Sequence, residues 1–226
     1  KLVLRIFHRT FLIRLSLIFH PLFRWYFRGH QFEDPIDGSQ YRKFLPYGYG
    51  EQLRKNALCP GTLSLERHRL LWLYLTRETD FINQSLKVLH LAPEQVFYHR
   101  FKKFHHWEYT TADLCSPLAD IKADICDLPF ENNTYDLILC NHVLEHIPED
   151  QKAMSELYRV LKKGGTLIAQ VPLGKQRLKT FEDERIKGRK ARAKAFGQYD
   201  HVRIYGKDYY SRLENVGFKT KAFDLI

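Results

Sequence analysis

Residues 135–165 read YDLILCNHVLEHIPEDQKAMSELYRVLKKGG, and their rhythm decides the fold. The opening YDLILC is a continuous apolar run, the pattern of a strand buried on both faces. Gln151–Leu161 reads as a helix, and Lys162, Lys163 and Gly164 supply the basic last turn and glycine with which helices end. Thr166–Val171 is a second buried strand. Strand, helix and strand in this order make one unit of a parallel sheet covered by helices.

The same alternation extends outward. Upstream, Lys87–Leu91 (KVLHL) is a short buried strand, and Glu94–Phe104 is a helix with aromatics at 97, 98, 101 and 104. Trp107–Thr111 is a strand closed by Asp113, and Ile121–Ala123 a short one ending at Asp124. Downstream, 174–200 is polar and basic, Gly206–Val216 is a helix closed by Gly217, and 218–225 is expected to be a strand. The predicted fold class is α/β: a Rossmann-like, doubly wound, mostly parallel sheet with helices on both faces. A small helical and irregular extension precedes it. Within the extension, Leu63–Leu75 reads as a helix with Ser64 as its N-cap.

Composition agrees with a folded domain. The chain has 226 residues, 44% hydrophobic and 27% charged, which excludes collagen, low-complexity disorder and a disulfide miniprotein. Four scattered cysteines (59, 115, 126, 140) favour a reducing cytosol. The net charge is +10. Six bases (Lys1, Arg5, Arg9, Arg14, Arg24, Arg28) precede the first acid, Glu33. The longest uncharged run there is Leu15–Phe23, far short of the roughly 20 apolar residues that span a bilayer. Residues 1–28 are therefore read either as a helix packed on the protein or as an interfacial helix on a membrane surface. The expected location is cytoplasmic, with peripheral attachment to the inner face of the membrane in the second case. The only methionine is Met154, so the chain reads as trimmed, and its last strand as truncated.

In a sheet of this kind ligands sit at the carboxyl ends of the strands. Those ends carry, in order, Ala92–Glu94, Asp113, Asp124 and Asn141. Carboxylates there suit ribose hydroxyls, and a tight turn suits close backbone approach.

VLHLAPE (88–94), ADICDLPFENNTYDLILCNHVLEHIPED (123–150) and ELYRVLKKGGTLIAQVP (156–172) resemble a class I S-adenosylmethionine-dependent methyltransferase of the type 11 kind. The resemblance covers about residues 86–226. It implies S-adenosyl-L-methionine as cofactor. Leu91, Ala92 and Glu94 would lie at the methionine and ribose turn, Asp113 at the ribose hydroxyls, Asp124 and Ile125 at adenine, and Asn141 at the amino-acid end. The usual glycine-rich turn is replaced by His90, Ala92, Pro93 and Glu94, similar to a subset with an LHxAPE turn. Glu94 is read either as a contact to the cofactor's polar end or as a cap of the following helix. The absence of G-x-G-x-x-G argues against a dinucleotide dehydrogenase.

HVLEH (142–146) formally matches a zinc-protease pattern, but its place between a strand and RVLKKGG argues against that chemistry, and no catalytic metal is expected. Glu145 and His146 are read as structural. Upstream, DPID (34–37) and CPGT (59–62) resemble the two knuckles of a zinc ribbon with three of four ligands lost, a relic expected to hold no metal. The domain reading is thus 1–31 as a basic segment, 32–62 as the degenerate ribbon, and 63–226 as the methyltransferase domain.

Methyl transfer needs mainly alignment in a dry pocket, with a base where the acceptor must lose a proton. His142 and His201 are the candidate bases. In FGQYDHVRIYG (196–206), Asp200, Arg203 and Tyr205 are candidate acceptor-binding residues, or else parts of a hydrogen-bonded structural turn. RIKGRKARAK (185–194) is either an anion binder or a solvated lid. The expected acceptor is a small molecule or glycan. A fold-retaining but inactive binding protein and an RNA methyltransferase are the alternatives. Nucleic acid is not the expected partner, since no reader module accompanies the basic stretches.

Overall fold

The computed structural model describes residues 21–48, 53–174 and 176–224. They fall into two compact units that meet in sequence at Ile82 and Asn83. Most of the basic segment, residues 1–20, lies outside the described residues. Among the described residues no helix is long and apolar enough to cross a membrane.

In the first unit, residues 21–26 are helical. Strand β1 (Arg28–Glu33) pairs antiparallel with β2 (Gln40–Tyr41), and β3 (Leu45–Tyr47) with β4 (Arg54–Leu58). Helix α1 (Glu66–Leu73) continues into a π-helical turn, Tyr74–Glu78. Phe27, Tyr41, Phe44 and Cys59 form the small core. The two hairpins replace the irregular stretch expected over 32–62. Their strands are short and broken by Pro46 and Gly48, so no alternating pattern shows in the sequence. Leu65, not Ser64, is the N-cap of α1, and its backbone amide bonds His68 Nδ1 at 3.1 Å. The helix belongs to this unit, although the sequence reading grouped it with the methyltransferase domain.

The knuckle loops are joined by hydrogen bonds. Asp34 is fully buried. Its Oδ2 accepts from the hydroxyls of Thr62 and Ser64, and its Oδ1 from the Ile36 amide at 3.0 Å. Asp37 is held by the Ser39 amide and by Arg24, both at 2.9 Å. Cys59 Sγ accepts from the Gly61 amide at 3.3 Å. Burial, with Asp34 beside it, pushes the Cys59 thiol up to about 11, so without a metal it stays neutral. This donor set suits hydrogen bonding, not zinc. Asp34→Ala strands two hydroxyls and an amide, at about 1–3 kcal/mol. Thermal melts should show a fall of about 5 °C at 2–4 °C per kcal/mol. An unchanged midpoint would mean the knuckles are held by something else.

The second unit is a five-stranded parallel sheet of order β7-β6-β5-β8-β9. Its strands are β5 (Leu86–Leu91), β6 (Trp107–Asp113), β7 (Ile121–Lys122), β8 (Tyr135–Asn141) and β9 (Leu161–Gln170). Val88 pairs with Leu137 and Leu91 with Cys140, while Leu91 also faces Ala112 of β6. Alternation along the strands buries both faces. Leu89, Leu91, Ile138 and Cys140 pack with Ala153, Met154, Leu157 and Val160 of α3 (Asp150–Val160) and Leu213 of α5 (Tyr209–Glu214). The intervening His90 faces the other way, its ring 6.0 Å from Phe101 of α2 (Gln95–Phe101). This is the doubly wound arrangement expected. Two details differ. Gly164, expected to stop α3, adopts φ +78° inside β9, at the bulge between the Tyr135–Leu161 and Leu137–Thr166 pairs. Phe218–Asp224 is not a strand. The Phe218 amide instead bonds Leu213 O at 3.3 Å, and its ring packs 5.1 Å from Tyr158, which ties the segment to α5 and α3.

A further hairpin, β10 (Phe181–Glu182) with β11 (Arg203–Ile204), and helix α4 (Arg189–Phe196) lie beyond β9 in sequence. Helix α4 holds part of the basic stretch, and Arg189 stacks over the Tyr199 ring at 4.0 Å.

Candidate active site

Sheet order reverses between β5 and β8. Both neighbours of the first strand are parallel to it, so the loops leaving β5 and β8 splay to opposite faces and open a crevice at their carboxyl ends. The site is built on that crevice. Beyond Leu91, which is buried, Ala92 adopts φ +48°. This left-handed conformation normally favours glycine, so the glycine-poor turn keeps the backbone shape without the residue. The Ala92 amide donates to Ala112 O at 3.0 Å, which ties the turn to β6.

Glu94 is the N-cap of α2, yet its side chain makes no capping bond. Its Oε2 lies 2.6 Å from His90 Nε2, and His90 Nδ1 lies 2.7 Å from the Tyr109 hydroxyl. Burial, with Glu94 nearby, pushes the Tyr109 phenol well above its ordinary range, so the phenol stays protonated. Glu94 thus stands at the cap position with its charge near the helix N-terminus, while its carboxylate is bonded to His90 rather than to a capped amide. His90 and Tyr109 orient the carboxylate over the turn. Sequence reading missed them as functional positions, although the spacing of His90 and Glu94 was visible.

Asp113 closes β6. Its Oδ1 accepts from the amides of Cys115 (2.7 Å) and Ser116, and among the described residues Oδ2 takes no hydrogen bond. Asp124 Oδ1 accepts from the Cys126 amide at 2.8 Å in an exposed turn, and the neighbouring Ile125 is buried. Asn141 ends β8 with 3% exposure. Neither Oδ1 nor Nδ2 of its amide has a hydrogen-bond partner among the described residues. Leaving a buried amide unsatisfied is costly, and a polar ligand at this strand end would relieve that cost. A nucleoside bearing a charged amino-acid tail fits these residues: a carboxylate oxygen at Asp113, an apolar wall at Ile125, and an amide at Asn141.

The loop after β8 holds the histidines. His142 adopts φ +55° and donates its amide to Gln170 O at 2.7 Å. Its Nδ1 lies 3.1 Å from Glu145 Oε1. The loop is joined to the 196–206 segment through the Val202 amide, which donates to Glu145 O at 2.9 Å, and through His146, whose ring lies 4.7 Å edge-on to that of His201. Burial and the nearby His146 hold His201 below the ordinary histidine range.

Two expected acceptor residues are committed to the protein itself. Arg203 is 3% exposed. Its guanidinium donates to the carbonyls of Leu144 (3.1 Å), Ile147 and Pro148 (2.8 Å) and to Glu182 (2.8 Å). Tyr205 is fully buried and donates to Asp150 Oδ2 at 2.8 Å. Both form the hydrogen-bonded structural turn, and acceptor binding by these two side chains is excluded by their saturation. Asp200 is half-buried, and His201 is buried at 8% exposure.

Residues 81–169 match the family model described as a methyltransferase domain. That stretch, under half of the chain, is similar to class I methyltransferases. The cofactor of this class is S-adenosylmethionine. An uncharacterised protein of Methanocaldococcus jannaschii is 51% identical over 51 residues, 23% of this chain and 22% of that protein. A demethylmenaquinone methyltransferase of Lactiplantibacillus plantarum is 44% identical over 41 residues, 18% of this chain and 17% of the enzyme. The matched segments thus span about a fifth of these curated relatives. Among solved structures, the [4+2]-cyclase SpnF shares the fold with a TM-score of 0.52 at 15% identity, over 81% of this chain and 67% of the cyclase. The sheet order and the family match thus point to the same fold.

Proposed function

We propose that the chain is an S-adenosylmethionine-dependent methyltransferase acting on a small-molecule or glycan-type acceptor. The observation that carries the reading is the buried, unpartnered Asn141 amide at the reversal of strand order, within a match to the methyltransferase domain model. Fold alone would not select methyl transfer, since the same architecture carries a [4+2]-cyclase. The name of the Lactiplantibacillus relative supports a small-molecule acceptor.

S-adenosylmethionine, when bound, supplies a methyl group on a sulfonium sulfur. The protein's share is placement. Asp113 Oδ2 accepts from ribose hydroxyls, Asn141 pairs with the amino-acid tail, and Glu94, oriented by His90 and Tyr109, offers a carboxylate to that tail's ammonium. Ile125 and Leu91 keep water from the crevice, which strengthens these bonds. His142, with Nδ1 on Glu145, turns its other ring edge outward as the candidate proton acceptor for a hydroxyl or amine.

Saturating S-adenosylmethionine should raise the melting temperature. At 100 times the dissociation constant the stabilisation is about 2.7 kcal/mol, which for a chain of this size is about 5–10 °C. A folded protein whose midpoint does not move would overturn the proposal.

A further inference from the structure

Glu145, His146 and His201 each offer a ligand atom, and these atoms lie within 4.8 Å of one another. We propose that they form a binding site for one divalent transition metal ion of the zinc and cobalt kind, a two-histidine, one-carboxylate set in the loops beside the crevice. Nothing in the methyl-transfer reading requires it, and sequence analysis expected no metal.

The remaining atoms of the three residues are arranged as a metal site needs. Metal-bound histidines use one ring nitrogen for the ion and the other for a carbonyl or carboxylate that fixes the ring. His146 Nδ1 lies 3.3 Å from Asp200 O, which leaves Nε2 for an ion. The His201 ring stands edge-on to that of His146, with 4.7 Å between the ring centroids. Glu145 is 1% exposed; Oε1 meets His142 at 3.1 Å, and Oε2 is buried with no hydrogen-bond partner among the described residues. A buried carboxylate oxygen without a partner, beside two imidazole edges, lacks only a cation. The Glu145 backbone is itself fixed by the Val202 amide at 2.9 Å.

The donor types select the ion. Two imidazoles and one carboxylate suit zinc, cobalt, nickel or iron better than magnesium or calcium, which prefer oxygen alone. Bonds of about 2.1 Å place neighbouring ligand atoms roughly 3.4 Å apart, so atoms up to 4.8 Å apart close by at most about 1.4 Å on binding. Three protein ligands leave a position for water or an oxygen of a bound molecule. The set shares Glu145 and His146 with the HVLEH stretch but takes its second imidazole from His201, 55 residues beyond His146, in place of His142.

The test is Co²⁺ titration of the folded chain, without added histidines or S-adenosylmethionine, read by visible absorption and calorimetry. One ion per chain is expected, with affinity at least tenfold weaker in His146→Gln and in His201→Gln and unchanged in His99→Gln, an exposed residue of α2. No retained ion, or an affinity that either variant leaves unchanged from the unaltered chain, overturns the site. Should a variant fail to fold, Zn²⁺ titration of the unaltered chain followed by histidine ring NMR decides. Shifts at His146 and His201 uphold the site, and shifts confined to other histidines overturn it. Because the cofactor is absent, failure here is separate from failure of the methyl-transfer reading.

Discussion

Arg203→Ala should lower the melting temperature by about 10 °C. Arg203 links the loop after β8 to the β10–β11 hairpin, with three backbone carbonyls and Glu182 on one guanidinium. The buried Asp150 lies 3.8 Å from its Nε and is shared with Arg212 (2.9 Å) and Tyr205. Truncation leaves buried carbonyls unpaired and Asp150 with one cation fewer. Breaking a buried charged pair of this kind costs about 3–5 kcal/mol, and each kcal/mol moves the midpoint by about 2–4 °C for a chain this long. Lysine should rescue little, because an ammonium is a point charge that cannot serve a planar fan of carbonyls. A shift under about 2 °C in thermal melts would show that the turn is held by other contacts.

Asp113→Asn should weaken S-adenosylmethionine binding by about 10- to 100-fold. Asparagine keeps an oxygen for the amides of Cys115 and Ser116, so the turn survives. It loses only the acceptor at the second position, where the nitrogen cannot take a hydrogen from a ribose hydroxyl. A hydrogen bond to a charged group is worth about 1.5–3 kcal/mol, and about 1.4 kcal/mol is tenfold in affinity. Calorimetry on both proteins checks this. Equal dissociation constants would remove Asp113 from the cofactor site.

The fold was legible because apolar runs and helix stops are local signals. YDLILC, Gln151–Leu161 and the 166–171 run became β8, α3 and the pairing part of β9. The hairpins of the first unit were not legible, since one strand of each has only two or three residues and carries no period. The 218–225 strand was misread for the opposite reason. Its composition suits a strand, but its first amide caps α5, and a ladder is decided by partners, not propensity.

The site divides along the same line. Ala92, Asp113 and Asn141 stand at strand ends, where order along the chain already places them. The roles of Arg203 and Tyr205 depend on Leu144, Ile147, Pro148 and Asp150, more than fifty residues upstream. No local pattern reveals that a polar side chain is already spent. The grouping of Glu145 and His146 with His201 is hidden in the same way: the sequence placed the first two in a motif with His142, and the Val202 bond that brings His201 across appears only in three dimensions.

The central claim is that the crevice between β5 and β8 binds S-adenosylmethionine with the Asn141 amide as a partner. Calorimetric titration of the folded chain with S-adenosylmethionine, alongside Asn141→Ala, tests it most directly. One site per chain, bound at least about tenfold more weakly by the variant, is the predicted result. No heat of binding, or an affinity that Asn141→Ala leaves unchanged, would contradict the account.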